Sequence, residues 1–490
     1  MPAFPISFQW EHVLLWLLSL AVSVSATLHV LLHKKDTRAA IGWIGLIWLS
    51  PFVGTVVYVL LGINRIERKA RALRRDRPPV NKLDPDEEGS ERLLRTLGPE
   101  RAYLATLGRL GGEETGRRLL GGNRVEPLDG GDEAYPKMVE AIDAARRSVT
   151  MLTYIFRHDQ AGTPVADALT RARERGVEIR VLVDALGSVH EGAPIIEHLR
   201  QLKLAVELFI PTTRPGWMRY ANLRNHRKVM VVDGLVGFTG GMNVLDDFLG
   251  PGRDGEAGGK GCRDLHFRVE GPLVTTLQQA FADDWAFTTG EVLDGDPWFV
   301  PDPQPRAGET IGRIVVDGPD IDSDPLAAVF FGALAVARES ATIITPYFIP
   351  DSPLSAALAS AARRGVRVDI ILPRENNHRF VKWAGIPLLE PLLEAGCRVW
   401  LTEPPFDHTK LMVVDDAWAF FGSANWDPRS LVLNFELNVE CYDPGLASRL
   451  SELAGCRMRG ALRLTLDEVR DRPLALKLRD SLARLFSPYL

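Results

Sequence analysis

A chain of 490 residues is too long for one compact core, so two or more domains are expected. An apolar fraction of 46% and a charged fraction of 25% are ordinary for a globular protein, and the net charge of −5 conceals one strongly basic segment. The four cysteines, Cys262, Cys397, Cys441 and Cys456, stand far apart without a CxxC pair or a Cys/His cluster of zinc spacing, so reduced thiols in a cytosol-facing protein are expected.

Val13 to Leu32 is an uncharged run of 20 residues, and Ala39 to Ile63 is a second of 25. Either can cross ~30 Å of hydrocarbon as a helix, and the intervening HKKDTR is too short for more than a turn. Residues 1–64 therefore read as a two-helix transmembrane hairpin, with Trp43, Trp48 and Tyr58 placed to mark interfaces and with Pro51 and Gly54 tolerated inside the second helix. The turn carries Lys34, Lys35 and Arg38. The segment after the second run carries Arg65, Arg68, Lys69, Arg71, Arg74, Arg75 and Arg77. The more cationic side stays cytoplasmic, so a multi-pass membrane protein with the rest of the chain in the cytosol is expected. The same segment serves either as this topology signal or as a contact for anionic headgroups.

Residues 65–130 are charged and punctuated by Pro and Gly, and read as a tether with some short helix rather than a domain. Periodic order follows. Helix is expected over Glu133–Arg147, strand over Ser148–Phe156, and helix over Val165–Glu174 with Gly176 as its cap. Strand Val177–Asp184, helix Ala193–Leu202 and strand Val206–Phe209 complete the series. The second half repeats this order. Asp324-Pro325 opens a helix, ATIITPYFIP answers VTMLTYIFRHD, ARRGVRVDIILP answers ARERGVEIRVLVD, and AGCRVWL answers LKLAVEL. The fold class is α/β with parallel strands, duplicated over residues 131–305 and 306–490 in a pseudo-twofold pair, the boundary falling in a Pro-rich stretch.

Each half contains the same polar signature. HRKVMVVDGLVGFTGGMN (His226–Asn243) is answered by HTKLMVVDDAWAFFGSAN (His408–Asn425). His226/His408, Lys228/Lys410, Asp233/Asp415 and Asn243/Asn425 recur at identical offsets, which core packing alone does not demand. His and Lys two residues apart on a strand share a side. Two His, two Lys and two Asn around one point suit a phosphodiester: Lys and Asn hold non-bridging oxygens, one imidazole attacks phosphorus, and the other protonates the leaving oxygen. This chemistry needs no metal or other cofactor. Asp264 and Glu436, each just before an alternating strand, are candidates to orient the imidazoles, with the pairing left open. Asp233 and Asp415, part of the catalytic signature, are expected to hold the turns that end the motif strands.

These residues resemble the HxKxxxxD and GSxN signatures of the phospholipase D superfamily. Together with TPYFIPD, SANWDPRSLVLNFELNVE and the N-terminal hairpin, they resemble the membrane-anchored bacterial cardiolipin synthases over almost the whole chain, the stretch 65–130 being the weakest. Gly241 departs from the signature where the second copy has Ser423. The resemblance implies two phospholipase D-type domains at the bacterial inner membrane. It implies phosphatidylglycerol as substrate, transfer through a phosphohistidine with His226 as nucleophile and His408 as general acid and then base, and phosphate held by Lys228, Lys410, Asn243 and Asn425. A phospholipase D acting on other phospholipids uses the same residues. A tethered nuclease is disfavoured because the cations cluster near the membrane rather than around the motifs, so no nucleic-acid partner is expected. Oligomeric state is not readable from the chain.

Overall fold

The computed structural model describes residues 10–34, 37–62, 87–191, 193–211, 223–250, 261–301, 305–319 and 324–487. The basic segment Arg65–Arg77 and the first part of the expected tether lie outside the described residues.

In the first half the strands are β1 (Leu120–Asp129), β2 (Ser148–Thr153), β3 (Glu178–Asp184), β4 (Val206–Phe209), β5 (Arg224–Asn225), β6 (Val229–Val232), β7 (Val236–Gly240) and β8 (Leu265–Glu270). In the second they are β9 (Thr310–Asp317), β10 (Ser340–Ile344), β11 (Arg367–Pro373), β12 (Arg398–Thr402), β13 (Leu411–Val414), β14 (Trp418–Gly422), β15 (Asn434–Tyr442) and β16 (Leu462–Leu464). Among the described residues they form one sheet whose order, read outward from its middle, is β9-β15-β14-β13-β10-β11-β12-β16 on one side and β1-β8-β7-β6-β2-β3-β4 on the other. The duplication is thus visible strand for strand, with β16 as an addition to the second half.

The sheet is mixed rather than parallel. β2-β3-β4 and β10-β11-β12 run parallel, as their helical crossovers require, but the motif strands lie in antiparallel meanders. The reason is local. After β6 the chain turns back through Asp233 and Gly234, and after β13 through Asp415 and Asp416, all with φ between 47° and 69°. Such left-handed backbone is adopted most readily by Gly, Asn and Asp, and it leaves no room for a crossover helix. Side chains alternate along the motif strands. Val229 and Val231 of β6 share one buried cluster with Leu411 and Val413 of β13, so the two half-sheets pack on each other. Met230 and Val232 face the helices of the first half, and Met412 and Val414 those of the second.

Two expectations are corrected. The first is the tether. Its later part is a helical stretch Glu87–Arg101 broken at Gly98, a helix Ala105–Thr115 and the strand β1, whose Arg124–Asp129 pairs with β8 and whose Leu120 and Asn123 meet β9 at the join of the halves. Leu93, Leu97, Leu104 and Leu107 are buried in the core of the second half, against Leu326, Val329 and Phe330. Buried Arg313 donates to Gly108 O at 3.0 Å and Arg117 O at 3.1 Å while pairing with buried Glu440 at 2.5 Å. A Cβ at Gly111 would stand 2.3 Å from the Arg313 guanidinium, so this close approach needs glycine. Residues 87–129 are therefore built into the fold, the two helices against the second half and β1 onto the sheet of the first.

The second correction concerns the hairpin. Trp10–His33 is one apolar helix, of which His12–His33 is long enough to cross a membrane. The second run is not continuous. It breaks into Thr37–Leu49 and Pro51–Val57 with a π-helical end at Tyr58–Gly62. Pro51 brings no N–H to the ladder and starts a new helix at its first position. Gly54 lets that helix fold back: a Cβ there would stand 2.4 Å from Leu46 O. Ala26, Val30, Ala40, Ile47 and Tyr58 still bury one seam between the two runs.

Candidate active site

The site is built by backbone pairing between the halves. β5 runs parallel to the start of β15, with Arg224 opposite Asn434 and Asn225 opposite Phe435, and His226 N–H donates to Phe435 O at 2.9 Å. The next residue on each chain is His226 and Glu436. The second half reciprocates. Arg263 bridges Asp407, Arg263 N–H donates to Phe406 O at 2.9 Å, and His408 N–H donates to Arg263 O at 2.7 Å, so the next residues are Asp264 and His408. His226 Nδ1 consequently lies 3.1 Å from Glu436 Oε2, and His408 Nδ1 lies 2.8 Å from Asp264 Oδ2. Each motif histidine is held by the carboxylate of the other half.

Several groups that sequence reasoning missed fix this register. Asn225 donates its N–H to Asp184 at 2.8 Å and its side-chain amide to Asp284 at 2.9 Å. Buried Arg227 pairs with Asp284 at 2.6 Å and donates to Glu436 O at 3.1 Å and Asp317 O at 2.9 Å. Thr409 stands at the equivalent place in the second motif, so this clamp exists on one side of the pseudo-axis only.

Lys228 Nζ donates to His226 O at 2.6 Å, and Lys410 Nζ donates to His408 O while lying 2.9 Å from His408 Nδ1. Burial lowers Lys228 to about 7 and Lys410 to about 8, each at the same time being held up by Asp264 and Glu436. The two motifs act on one another. Burial depresses both imidazoles, and both lysines push each of them further down, His408 furthest. Each histidine keeps 12% of its side chain exposed, an opening toward a ligand. Aromatic rings wall them. Tyr154 stands 5.5 Å from His226, while Tyr347, Phe406 and Phe248 stand 6.3, 6.0 and 5.9 Å from His408, centroid to centroid.

The amides follow the motif strands as expected. Asn243 Oδ1 accepts the Ile155 N–H at 3.2 Å, and Tyr135 donates to Asn243 O at 2.9 Å. Asn425 Nδ2 lies 3.4 Å from Ser430 Oγ, leaving its Oδ1 buried without a partner within the protein. Asp233 and Asp415 are not brought to the histidines. They stand at the opposite ends of β6 and β13. Asp233 accepts N–H groups of Arg146, Arg147 and Ser148, and Asp415 those of Arg338, Glu339 and Ser340. Their geometry is that of turn anchors, which replaces the catalytic label attached to them by the signature. Of the unmatched histidines, His266 is buried in β8, and His158 and His198 stack with centroids 4.5 Å apart.

The departure at Gly241 has a physical reason. Ser423 donates to Glu436 at 2.5 Å and accepts the Leu437 N–H at 3.0 Å. In the first half the shorter Asp264 takes that place itself, its Oδ1 accepting the Leu265 N–H at 2.7 Å. A Cβ at Gly241 would lie 2.4 Å from Asp264 Oδ1. Gly with Asp and Ser with Glu are two fillings of one space. The two carboxylates nonetheless differ. Burial raises Asp264 to about 8, whereas for Glu436 burial is outweighed by His226, Lys228 and Ser423, which lower it.

The likeness to known proteins extends over almost the whole chain. A family model described as "Cardiolipin synthase, PLD-like domain" matches residues 138–250 and 331–454, and one described as "Phospholipase_D-nuclease N-terminal" matches residues 21–62. A cardiolipin synthase of Alkalihalophilus pseudofirmus is 30% identical over 94% of this chain and 91% of its own. The major cardiolipin synthase ClsA of Bacillus subtilis is 31% identical over 98% of this chain and 99% of its own. Among solved structures, phosphatidylserine synthase of Haemophilus influenzae superposes with a TM-score of 0.60 at 16% identity, covering 79% of this chain and all of that one, which is a likeness of fold.

Substitution Gly241→Ser forces Asp264 away from His408 and is expected to reduce turnover by about 10²-fold, the lower end of the range for a general acid–base group. Ser423→Gly, which opens space instead of closing it, is expected to cost less. Steady-state kinetics on the two variants decide it, and the opposite ranking would contradict the complementary fillings.

Proposed function

Because the chain belongs to the phospholipase D-like cardiolipin synthases, we propose that it condenses two phosphatidylglycerol molecules into cardiolipin and glycerol through a phosphatidyl-histidine. The observation that carries this reading is the pair of imidazoles, each fixed through Nδ1 by a buried carboxylate of the opposite half and both within the field of two lysines.

The two pairs differ in a way that suits two roles. Glu436 is held ionised, so it accepts the Nδ1–H of His226 and leaves the Nε2 lone pair free to attack phosphorus. Asp264 is held protonated at neutral pH and can donate to His408 Nδ1, which leaves a proton on His408 Nε2. In the first step His226 Nε2 bonds to phosphorus and the bond to the glycerol oxygen breaks. That oxygen takes the His408 Nε2 proton as Nδ1 draws the proton of Asp264. In the second step the free hydroxyl of another phosphatidylglycerol returns a proton to His408 Nε2 as Nδ1 gives its proton back to Asp264, and the hydroxyl oxygen bonds to phosphorus. The P–N bond breaks and His226 is regenerated. Lys228 and Lys410, depressed by burial, are held in their charged form by a phosphodiester anion beside them, and Asn243 and Asn425 supply amide donors. Asp233 and Asp415 act through the turns they anchor.

The apolar N-terminal helix supports a membrane location. Together with the cation distribution it supports an inner-membrane enzyme whose two halves face the cytosol.

Purified protein incubated with vesicles of phosphatidylglycerol alone is expected to yield cardiolipin and glycerol in equal amounts. Phosphatidic acid as the main product would make it a hydrolase instead. His226→Ala and His408→Ala are each expected to lower the rate by about 10³-fold or more. A phosphatidyl ester of p-nitrophenol, whose leaving group needs no proton, separates their roles. His408→Ala is expected to release a burst of p-nitrophenolate and retain phosphatidyl label on the protein, while His226→Ala does neither. The reverse pattern would exchange the two roles.

A further inference from the structure

The helix Leu474–Leu485 (LALKLRDSLARL) has two unlike faces. On a repeat of 3.6 residues, Leu474, Leu478, Leu482 and Leu485 fall within an arc of about 80°. These four leucines are 70%, 62%, 59% and 71% exposed. Phe486 extends the stripe at 50%, and Phe380 of the neighbouring helix Arg379–Glu394, its ring 5.9 Å from that of Phe486, at 40%. The opposite face is the packed one. Ala483 is buried in one cluster with Ala384 and Ile349, the Arg479 guanidinium lies 4.3 Å from the Trp383 ring centroid, and Asp480 is buried between Arg472 at 2.5 Å and Arg479 at 2.8 Å. The stripe is thus left bare by a helix that is otherwise docked. Beyond the N-terminal apolar helices, the other exposed large hydrophobics among the described residues, such as Leu94, Leu235, Val292 and Phe331, are scattered singly along the chain.

We propose that this stripe lies in the headgroup–acyl boundary of an anionic phospholipid bilayer, giving the second half its own membrane contact separate from the N-terminal helix. Charge chooses this occupant. The only acid of the helix, Asp480, is buried, whereas exposed Lys477 and Arg484 flank the stripe on one side and partly exposed Arg479 on the other. Exposed Arg379 and Lys382 border Phe380. Leucines between flanking cations are the pattern of a helix lying in an interface, and those cations oppose the approach of an identical face on a second copy. Continuity with the site supports the same occupant. Helix Arg379–Glu394 also lines, with Val381, Gly385, Ile386 and Leu389, an apolar cavity of about 170 Å³. Pro346, in the wall of that cavity, immediately precedes Tyr347, whose ring stands against His408. The bilayer contact would hold that side of the site against the surface from which a lipid arrives. It shares with the proposed reaction the premise of work at a bilayer, but none of the chemistry.

The test uses full-length protein in phosphatidylglycerol–phosphatidylcholine vesicles. An environment-sensitive thiol probe is placed at Leu478→Cys or Leu482→Cys in a Cys456→Ser background, and quenching by lipids spin-labelled on the acyl chain is measured. The reference is Leu235→Cys, at the turn on the end of β6 remote from His226. Several-fold stronger quenching at positions 478 and 482 than at 235 is expected, unchanged when His226→Ala removes turnover, so that failure of the reaction scheme would leave this result standing. Quenching no greater than at 235 would overturn the proposal. So would disulfide cross-linking between two chains of the Leu482→Cys variant without quenching, which would assign the face to a second copy.

Discussion

Two short stretches of parallel backbone pairing, Arg224–Asn225 with Asn434–Phe435 and Arg263 with Asp407, determine where every reactive group in this protein stands. Each stretch ends one residue before a histidine on one strand and one residue before a carboxylate on the other. Register alone therefore delivers His226 to Glu436 and His408 to Asp264. Glu436 is fully buried and kept ionised by His226, Lys228 and Ser423, and a buried charge that loses its partner typically costs about 3–5 kcal/mol. The pairing of the halves is thus enforced by the same contacts that orient the imidazoles. Neither half has a complete site by itself.

Duplication would give two equal histidines, but the chemistry needs two unequal ones, and the inequality lies in the surroundings rather than in the motif. Ser423 and the longer Glu436 on one side, Gly241 and the shorter Asp264 on the other, fill the same space with different hydrogen bonds. The Arg227 clamp on Asp284 and Glu436 O has no counterpart at Thr409. Three aromatic rings stand around His408, against Tyr154 beside His226. Ser423, with His226 and Lys228, lowers Glu436, while burial raises Asp264 to about 8, and the proposed division of roles between the two imidazoles rests on that inequality.

Much of this is legible in the chain because polar residues repeat at fixed offsets, where a core would constrain only apolarity. The α/β duplication, the crossover strands and the motif residues all follow from that periodicity. The crossing of the carboxylates is not legible. His226 and Glu436 are 210 positions apart, and their meeting depends on a register that local pattern does not carry. Residues 87–129 read as a tether because Gly121, Gly122 and Pro127 imitate a linker, although Leu93, Leu97, Leu104 and Leu107 already show helical spacing. The second apolar run misleads in the opposite sense. Hydropathy registers its 25 residues, while the break at Ser50–Pro51 depends on the fold-back that Gly54 permits.

The crossed pairing can be observed directly by nuclear magnetic resonance of the histidine side chains in protein labelled with ¹⁵N at histidine. Glu436→Gln should shift the ring-nitrogen signals of His226 and leave those of His408 in place, and Asp264→Asn should do the converse. If each histidine instead answered to the carboxylate of its own half, His226 to Asp264 and His408 to Glu436, the site would not be assembled across the two halves.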